Sequence, residues 1–575
     1  MRRHGIGPIV VMAALLALFA VVLVYPIWLT VRGGFETADG GFTLGHIRQV
    51  VMDPVLRRGL ANAFAIAACT TVLSLILATP LAILSVRFEF PARRVLTALI
   101  LVPLILPPFV GAIGVQHLLG RFGAVNTLLV QLGVIENGID FIGRGGFWAV
   151  VIMEALHLFP IIHLNLTASL ANLDPALEHA AENLGANRRQ RWLSIVLPQV
   201  RPGLFAGGTI VFIWSLTELG TPLVVGYDRV TPVQIFYGIT SMTVSHGPWA
   251  LTAIMLAAAV LSYALGRFVL ARGAAAAGTA ASTPATPTLL RGVRAAAAIG
   301  LFGLVFAAAV LPHVGVVLTS FTEVGHWYQS VLPSNVTVDH YVNAAKHPLA
   351  VGSIRNSLVY ASIAAALDLG VGLLIAYLLV RTTVPGRRLL DSLAMLPLAV
   401  PGLVIAFGYV AMSLRWPFGT GDPLEGVIDV IGPEPNPVPL LVIAYAVRRL
   451  PYVVRSAVAG LEQTPARLEE AAVNLGAGRL RAVRTIVVPL IAASLIAGGL
   501  LAFSFAMLEV SDSLILAQRD RHFPVTKAIY VLFERLGDGP HLASAMGVWA
   551  MALLGLTLVA ASILLGRRVG AMFRV

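Results

Sequence analysis

The sequence predicts an all-α integral membrane protein with twelve transmembrane helices, arranged as two parallel six-helix repeats. Of its 575 residues, 58% are hydrophobic and 12% are charged, and the mean hydropathy is +0.86. Soluble domains carry about 25% charged residues, and about 20 apolar helical residues cross a bilayer core. Windows of that length place the helices at about 8–30, 59–86, 95–119, 147–171, 203–225, 248–270, 295–320, 356–380, 389–414, 438–461, 491–516 and 541–566.

The first apolar segment raises the question of a cleaved leader. It follows Arg2 and Arg3, but it is longer than a signal-peptide core, and no small-x-small site follows Trp28. We therefore expect a retained helix. Cys69 is the single cysteine, which excludes an internal disulfide.

Matched residues divide the chain into two halves. One set recurs at a spacing of 294 and, after a slip of three residues, a second set recurs at 291. Each half holds six predicted helices, an even number, so both halves enter the membrane from the same side. We expect a first six-helix half at 1–270 with its core at about 58–267, a cytoplasmic linker at 271–292, and a second half at 293–575 with its core at about 355–566. Matched pairs include Asn62/Asn356, Arg87/Arg381, Pro107/Pro401, Pro160/Pro451, Gly185/Gly476 and Glu218/Glu509.

Basic residues indicate the orientation. With the amino terminus inside, the inner tails and loops hold 23 of the 40 basic residues and the outer loops hold 14. The positive-inside bias therefore predicts that both termini are cytoplasmic. The net charge of +12 reflects this bias, and we expect contact with membrane lipid and none with nucleic acid.

Two polar cassettes interrupt the apolar pattern at matching places. Residues 178–198 read EHAAENLGANRRQRWLSIVLP, and residues 469–489 read EEAAVNLGAGRLRAVRTIVVP. Asp174-Pro175 and Thr464-Pro465 supply an N-cap and a first helical proline, and a glycine ends each helix. Such helices of about ten residues are too short to span the membrane.

The apolar face of each short helix is built from leucines and small alanines, which would let a partner backbone approach closely. An interfacial helix lying on the membrane is the alternative, although such helices have bulkier apolar faces. Two copies on the cytoplasmic side favour a two-fold symmetric partner. The face comprises Leu177, Ala180, Ala181 and Leu184, matched by Leu468, Ala471, Ala472 and Leu475.

At these residues the chain resembles the membrane subunits of binding-protein-dependent ABC importers. Their motif is E-A-A, three residues, G, nine residues, then I-x-L-P. The second cassette matches it with Val488 in the leucine place, whereas in the first cassette His179 replaces the glutamate and Glu178 lies one place earlier. In this family the segment is a coupling helix that docks on the ATPase. The implied coupling residues are Glu178, Ala180, Ala181, Gly185, Glu470, Ala471, Ala472 and Gly476.

The resemblance implies a type I ABC importer permease fold in a bacterial inner membrane. It also implies an ABC ATPase homodimer on the cytoplasmic side and a periplasmic or lipid-tethered solute-binding protein. A phosphate-binding loop requires a lysine after glycines, and neither Lys346 nor Lys527 has that setting. We therefore expect no catalytic residue and no cofactor in this chain, with ATP and Mg²⁺ bound by the partner ATPase.

Ionisable residues inside predicted helices are candidates for the translocation path, because their burial in hydrocarbon is costly. A structural alternative remains open, in which the carboxylates neutralise arginines and hold helices together. The candidates have no i, i+4 metal-ligand spacing, so no fixed metal site is expected. They are Glu154, His157, Glu218, Arg448, Arg449, Glu509 and Asp512.

The substrate is predicted by resemblance alone. The segments VPLILPPFVG, LPLAVPGLVIAFGY and TELGTPLVVG are most similar to ferric-iron permeases. Permeases for thiamine, aminoethylphosphonate or polyamines are the alternatives within the family. A secondary transporter of parallel 6+6 architecture, driven by an ion gradient, is the alternative from another class.

Overall fold

The computed structural model describes residues 6–37, 39–105, 107–142, 146–240, 247–274, 287–432 and 434–565. Most of the predicted linker at 271–292 lies outside these ranges. In the first part of the chain the α-helices are α1 (Ile6–Phe19), α2 (Tyr25–Phe35), α3 (Gly45–Met52), α4 (Pro54–Arg87), α5 (Arg93–Leu99), α6 (Val102–Ile105), α7 (Pro108–Leu119), α8 (Ala124–Gln131), α9 (Phe147–Ala171), α10 (Pro175–Asn183), α11 (Arg188–Arg191), α12 (Leu197–Leu216), α13 (Gly220–Val225), α14 (Thr231–Thr240) and α15 (Gly247–Ala274).

The second part of the chain continues the same pattern. Its α-helices are α16 (Gly292–Phe321), α17 (Asp339–Lys346), α18 (Pro348–Arg381), α19 (Arg387–Met395), α20 (Gly402–Ser413), α21 (Val438–Gln463), α22 (Ala466–Asn474), α23 (Arg479–Ala482), α24 (Val488–Met507), α25 (Ser511–Leu516), α26 (Val525–Phe533) and α27 (Gly539–Leu565). Three π-helical turns join neighbouring helices at Ala20–Val24, Trp192–Val196 and Val483–Val487, and 3₁₀ turns lie at Leu396–Leu398 and Asp520–His522. Two short strands, β1 (Phe88–Glu89) and β2 (Thr288–Leu289), pair in parallel.

The chain is a multi-pass membrane protein. Nine helical segments of the described chain are long and apolar enough to cross a membrane, and counting two bent pairs as single spans gives up to eleven. α21 is also 26 residues long, but it carries three arginines. The nine segments are Gly7–Phe35, Pro54–Arg87, Phe147–Ala171, Arg188–Leu216, Gly247–Leu265, Gly292–Phe321, Pro348–Arg381, Arg479–Met507 and Gly539–Thr557.

Four of the predicted continuous helices are broken. In the windows 95–119 and 389–414, the helix pairs are bent by 93° and 102°. Pro107 and Pro401 have extended backbone immediately before α7 and α20, and a proline there cannot continue the helix hydrogen bonding. The windows 203–225 and 491–516 are each interrupted by three residues, between α12 and α13 and between α24 and α25.

The helix bounds recur along the chain at the two spacings of the sequence repeat. α4 and α18 begin and end 294 residues apart, as do α7 and α20. The bounds of α10 and α22, α12 and α24, and α13 and α25 recur 291 residues apart. The interruption before α13 and the one before α25 therefore fall at the same place in each repeat.

The chain forms two compact units. In the first, made of Met1–Met52, Ile235–Leu256 and Asp339–Met572, α2 packs on α20, and α18, α21 and α24 pack together. Thr30 of α2 donates to the carbonyl oxygen of Val404 at 3.1 Å, and the Tyr409 hydroxyl donates to that of Val22 at 2.7 Å. A glycine permits this contact, since a Cβ on Gly408 would lie 2.3 Å from the Pro26 carbonyl oxygen.

The second unit is formed mainly by Asp53–Gln234 and Ala257–Val338. In it α4, α9 and α12 pack together, and α16 packs on α7. A Cβ on Gly114 of α7 would lie 2.2 Å from the Pro312 carbonyl oxygen of α16. Gly114 and Gly408 are 294 residues apart and therefore occupy equivalent positions in the repeat. In each unit, this glycine contacts the first long helix of the other half of the sequence.

Candidate functional site

The short helix α10 has local stop signals at both ends. The Asp174 side chain accepts a hydrogen bond from the Ala176 amide at 2.9 Å, and Pro175 is the first helical residue. At the other end Gly185 has φ +85°, and the Gly185 and Ala186 amides donate to the carbonyls of Glu182 and Ala181, both at 2.9 Å. This double bond pattern is a Schellman cap, which requires a left-handed residue at the glycine position.

The helix α22 ends in the same way and begins differently. Gly476 has φ +93°, and the amides of Gly476 and Ala477 donate to Val473 and Ala472 at 3.0 Å. The predicted N-cap at Thr464 is wrong, because the helix begins at Ala466 with Pro465 at the cap position and no capping side chain. The Thr464 hydroxyl instead donates to the Gly460 carbonyl of the preceding helix at 3.0 Å.

The outer face of both short helices is exposed and apolar. Neither helix contains a buried residue. Leu184 and Leu475 are each 89% exposed, and Ala180 and Ala471 lie exposed beside them. Glu470 and its counterpart His179 are also exposed.

The glutamate that precedes the motif position lies on the opposite, inner side of each helix. Both terminal nitrogens of Arg87 bind Glu178, at 3.0 Å for Nη1, so this predicted coupling residue is paired within the protein itself. Its counterpart Glu469 accepts a hydrogen bond from the Tyr377 hydroxyl and lies 3.7 Å from Nε of Arg381. Sequence reasoning missed Arg87, Arg381 and Tyr377 as partners of these helices, although the two arginines were already matched between the repeats.

The interrupted helices contain the two repeat-related glutamates. Glu218 lies between α12 and α13, and Glu509 lies between α24 and α25. Pro222 lacks the amide that would bond the Glu218 carbonyl, which accounts for the first break. At the second break the Glu509 carbonyl accepts from the hydroxyls of Ser513 at 2.5 Å and Thr526 at 2.7 Å.

The second break holds a cluster of paired charges. Arg448 Nη1 lies 2.9 Å from Glu509 Oε1 and 3.6 Å from Asp512 Oδ2, and Arg449 Nη2 contacts Glu509 Oε2. Glu509 is 4% exposed and Asp512 is fully buried. The predicted helix over 491–516 would place Glu509 and Asp512 on one continuous helix, but the break at 508–510 separates them. Arg448 brings the two carboxylates together instead.

The first break has a different chemistry. Glu218 Oε1 accepts from the amide and hydroxyl of Thr221, at 3.2 and 3.4 Å. Glu154 is buried and accepts from the hydroxyls of Ser215 and Thr70, and no ion pair recorded in the described part of the chain includes it. Both hydroxyls bond Oε2, and the buried Oε1 accepts no hydrogen bond from the described residues, so Glu154 has hydroxyl partners where the structural alternative expected arginines.

His157 occupies the position of Arg448, 291 residues earlier. Its Nδ1 lies 2.8 Å from the Pro103 carbonyl oxygen. It lines a small cavity together with His313, whose Nε2 lies 3.4 Å from the Pro107 carbonyl oxygen. Within the described ranges, no group of three or more His, Cys, Asp or Glu side chains is arranged to hold a metal ion.

The fold and these sites define a multi-pass helical membrane protein with recurring elements and two exposed amphipathic helices at equivalent positions. The chain belongs to the family of binding-protein-dependent transport system inner membrane components, whose model matches residues 70–275 and 368–571. It is therefore a permease subunit of an ABC importer, a transport component of the inner membrane.

Two of its relatives match nearly the whole chain, and a third matches about a third of it. A ferric transport system permease protein of Actinobacillus pleuropneumoniae is 27% identical over 92% of this chain and 74% of its own length. A putative ferric transport system permease protein of Haemophilus influenzae is 27% identical over 92% of this chain and 80% of its own length. A molybdenum transport system permease protein of Mycobacterium bovis is 29% identical over 37% of this chain and 79% of its own length.

Proposed function

We propose that this chain is the twelve-helix permease of an ATP-driven importer for ferric iron, with two parallel six-helix repeats of the type I fold. The relatives named for ferric transport support the substrate, because each spans 92% of the chain. The count of twelve takes the nine apolar spans, adds each of the two bent pairs as one span, and adds α21.

The exposed leucines are the observation that supports binding of a separate ATPase. Leu184 and Leu475 are each 89% exposed at equivalent ends of α10 and α22. A leucine side chain gains about 1.5–3 kcal/mol when it moves from water into an apolar contact, so a partner surface is favoured there. Two equivalent helices fit a homodimer, which binds and hydrolyses ATP with Mg²⁺ outside this chain.

The orientation follows from the basic residues. With both termini in the cytoplasm, α10 and α22 face the ATPase, and the loops on the other side face a periplasmic or lipid-tethered binding protein. The coupling surface consists of Ala180, Ala181, Gly185, Glu470, Ala471, Ala472 and Gly476, with Glu178 acting from the inner side of α10.

The charged cluster at the second break favours iron over an oxyanion. Arg448 and Arg449 are balanced by Glu509 and Asp512, so the cluster offers no excess positive charge to molybdate or a phosphonate. Ferric ion is a hard cation that prefers oxygen ligands, and Glu154 and Glu218 provide carboxyl oxygens in the other unit. A thiamine or polyamine permease and an ion-gradient transporter remain the rival hypotheses.

Transport in proteoliposomes tests the proposal. The chain is purified with its candidate ATPase and reconstituted with the iron-loaded binding protein, and radioactive ferric uptake is measured with and without ATP. We expect uptake that requires both ATP and the binding protein. Uptake of molybdate, thiamine or a polyamine in place of iron would overturn the substrate, and ATP-independent uptake driven by an ion gradient would overturn the transporter class.

A further inference from the structure

An arginine–glutamate ion pair joins the short amphipathic helix to a long helix in both repeats. The Arg87–Glu178 pair is bidentate, and the Arg381–Glu469 pair is a single contact of 3.7 Å through Nε. Arg87 is the last residue of α4 and Arg381 is the last residue of α18, and both helices are 34 residues long. Each arginine faces a glutamate of the short helix, Glu178 in the first repeat and Glu469 in the second. The arginines are 294 residues apart and the glutamates 291 apart, so the pair recurs across both registers of the repeat.

Each arginine also contacts the segment on a second side. Nη2 of Arg381 donates to the carbonyl oxygens of Leu461 at 3.1 Å and Thr464 at 2.6 Å, where α21 turns into α22. The guanidinium of Arg87 lies 5.9 Å from the ring centre of Trp192, in the π-helical turn that follows α11. Arg381, at the end of α18, therefore also binds the segment that precedes α22. Arg87, at the end of α4, also contacts the segment that follows α10.

The geometry of the pair suits the transfer of movement. α10 packs chiefly against α11 and the π-helical turn, which follow it in the chain. The ion pair between Glu178 and Arg87 joins α10 to the long transmembrane helix α4. A bidentate arginine–carboxylate pair fixes orientation as well as distance. The anchored glutamate is on the inner side, and the exposed leucine is on the outer side, so one helix presents both a docking face and an anchored face.

We propose that the Arg87–Glu178 and Arg381–Glu469 pairs are positioning links that transmit movement of the docked ATPase to α4 and α18. The inference rests on the proposed function, since it takes α10 and α22 as the docking helices. It assigns to Glu178 and Glu469 a role different from binding the ATPase. The docking contact belongs to the outer face, and the glutamates connect that face to the transmembrane helices.

The two repeats also differ in the other partners of the glutamate, and the link predicts that this difference will matter. Tyr377, one turn before Arg381, donates its hydroxyl to Glu469, whereas the equivalent residue of the first repeat is Ile83. Among the described residues, the glutamate of the second link therefore has two side-chain partners, and the glutamate of the first link is paired with the arginine alone. Loss of Arg87 should uncouple more completely than loss of Tyr377.

The test compares solute imported per ATP hydrolysed in the reconstituted complex. Charge reversal of each partner, Arg87→Glu and Glu178→Arg, is compared with the double variant that carries both. We expect each single variant to retain ATPase co-purification and ATP hydrolysis and to lower the import-to-hydrolysis ratio by about tenfold. The double variant should recover most of the ratio, because the pair is restored with its charges exchanged.

Glu182→Gln is the matched control. Glu182 is a carboxylate of the same helix, but its partner is Arg191 at 2.7 Å, within the cassette itself. Its loss leaves the link to α4 intact, so the ratio should remain at the wild-type value.

Three outcomes would overturn the link. A wild-type ratio in both single variants would show that the pair transmits nothing. Loss of ATPase co-purification in the single variants would assign the pair to docking. Failure of the double variant to recover, when its thermal unfolding matches wild type, would also contradict the link. Absence of ATPase or ATP-dependent import in the wild-type complex would instead refute the proposed function, which the wild-type sample tests separately.

Discussion

At the scale of single residues, two glycines determine how the short helices end. Gly185 and Gly476 have φ +85° and +93°, and a Cβ built on either would meet no atom within 4 Å. A larger side chain therefore has room, and its cost is the left-handed backbone alone. That cost is about 1–2 kcal/mol at each position for a residue with a Cβ, and a β-branched residue fits this region poorly.

We expect the double variant Gly185→Val, Gly476→Val to insert in the membrane and to lose transport. The caps re-form in another backbone conformation, which displaces Leu184 and Leu475 from the positions that a partner would bind. Co-purification of the ATPase, with the amount of membrane-inserted permease as reference, measures the effect.

Gly478→Asn is the control for that variant. Gly478 lies in the same cassette with φ −60° and open space around it, and its counterpart Asn187 already caps α11. Asparagine is a favoured N-cap, so ATPase binding should be unchanged. Wild-type co-purification by the double valine variant would contradict the role of the glycine caps.

At the scale of elements, the two repeat-related glutamates at the helix breaks have different partners. Glu509 faces two guanidinium groups, whereas Glu218 accepts hydrogen bonds from Thr221 at the start of α13. Removing one partner of a buried ion pair leaves an uncompensated charge and costs about 3–5 kcal/mol. A hydrogen bond to a carboxylate contributes about 1.5–3 kcal/mol, and glutamine at position 218 would keep one oxygen acceptor.

Glu509→Gln should therefore lower the thermal unfolding temperature in detergent more than Glu218→Gln does. Ferric uptake is measured on the same variants, because both glutamates are candidates for the translocation path. Equal unfolding temperatures would contradict the counter-ion role of Glu509. If the pair also lines the path, uptake falls in the Glu218→Gln variant while its stability stays close to wild type.

Three of the four ends of the short helices could be predicted because capping is local, and the exception is the start of α22. Asp174, Pro175, Gly185 and Gly476 lie within a few residues of the bonds they make, so the sequence contains the whole signal. The breaks at 217–219 and 508–510 were missed, because hydropathy summed over about 20 residues is insensitive to three of them.

The ion pairs of the short helices were also missed, for a different reason. Arg87 and Glu178 are 91 residues apart, and only packing brings them together. The matched positions of Arg87 with Arg381 and of Glu178 with Glu469 were visible in the repeat. The arginines match at a spacing of 294 and the glutamates at 291, because the three-residue slip lies between them. Neither spacing indicates that the arginines contact the glutamates.

At the scale of the whole molecule, the orientation of the two short helices can be measured directly. In a Cys69→Ser background, Asn187→Cys and Gly478→Cys should react with an impermeant thiol reagent only after the membrane is opened. Val427→Cys, at a half-exposed residue of the loop that follows α20, should react from outside. Labelling of all three from outside would contradict both the orientation and the ATPase docking face.

The packing of α2 on α20 has a consequence for how the protein is made. Thr30 must wait for Val404, which lies 374 residues further along the chain, and Tyr409 lies 387 residues beyond Val22. At a translation rate of about 5–20 residues per second, the first helix resides in the bilayer for roughly 20–75 seconds before its partner is synthesised. During that interval α2 lacks its main packing partner, and a truncated messenger that stops before α20 would leave it without that partner permanently.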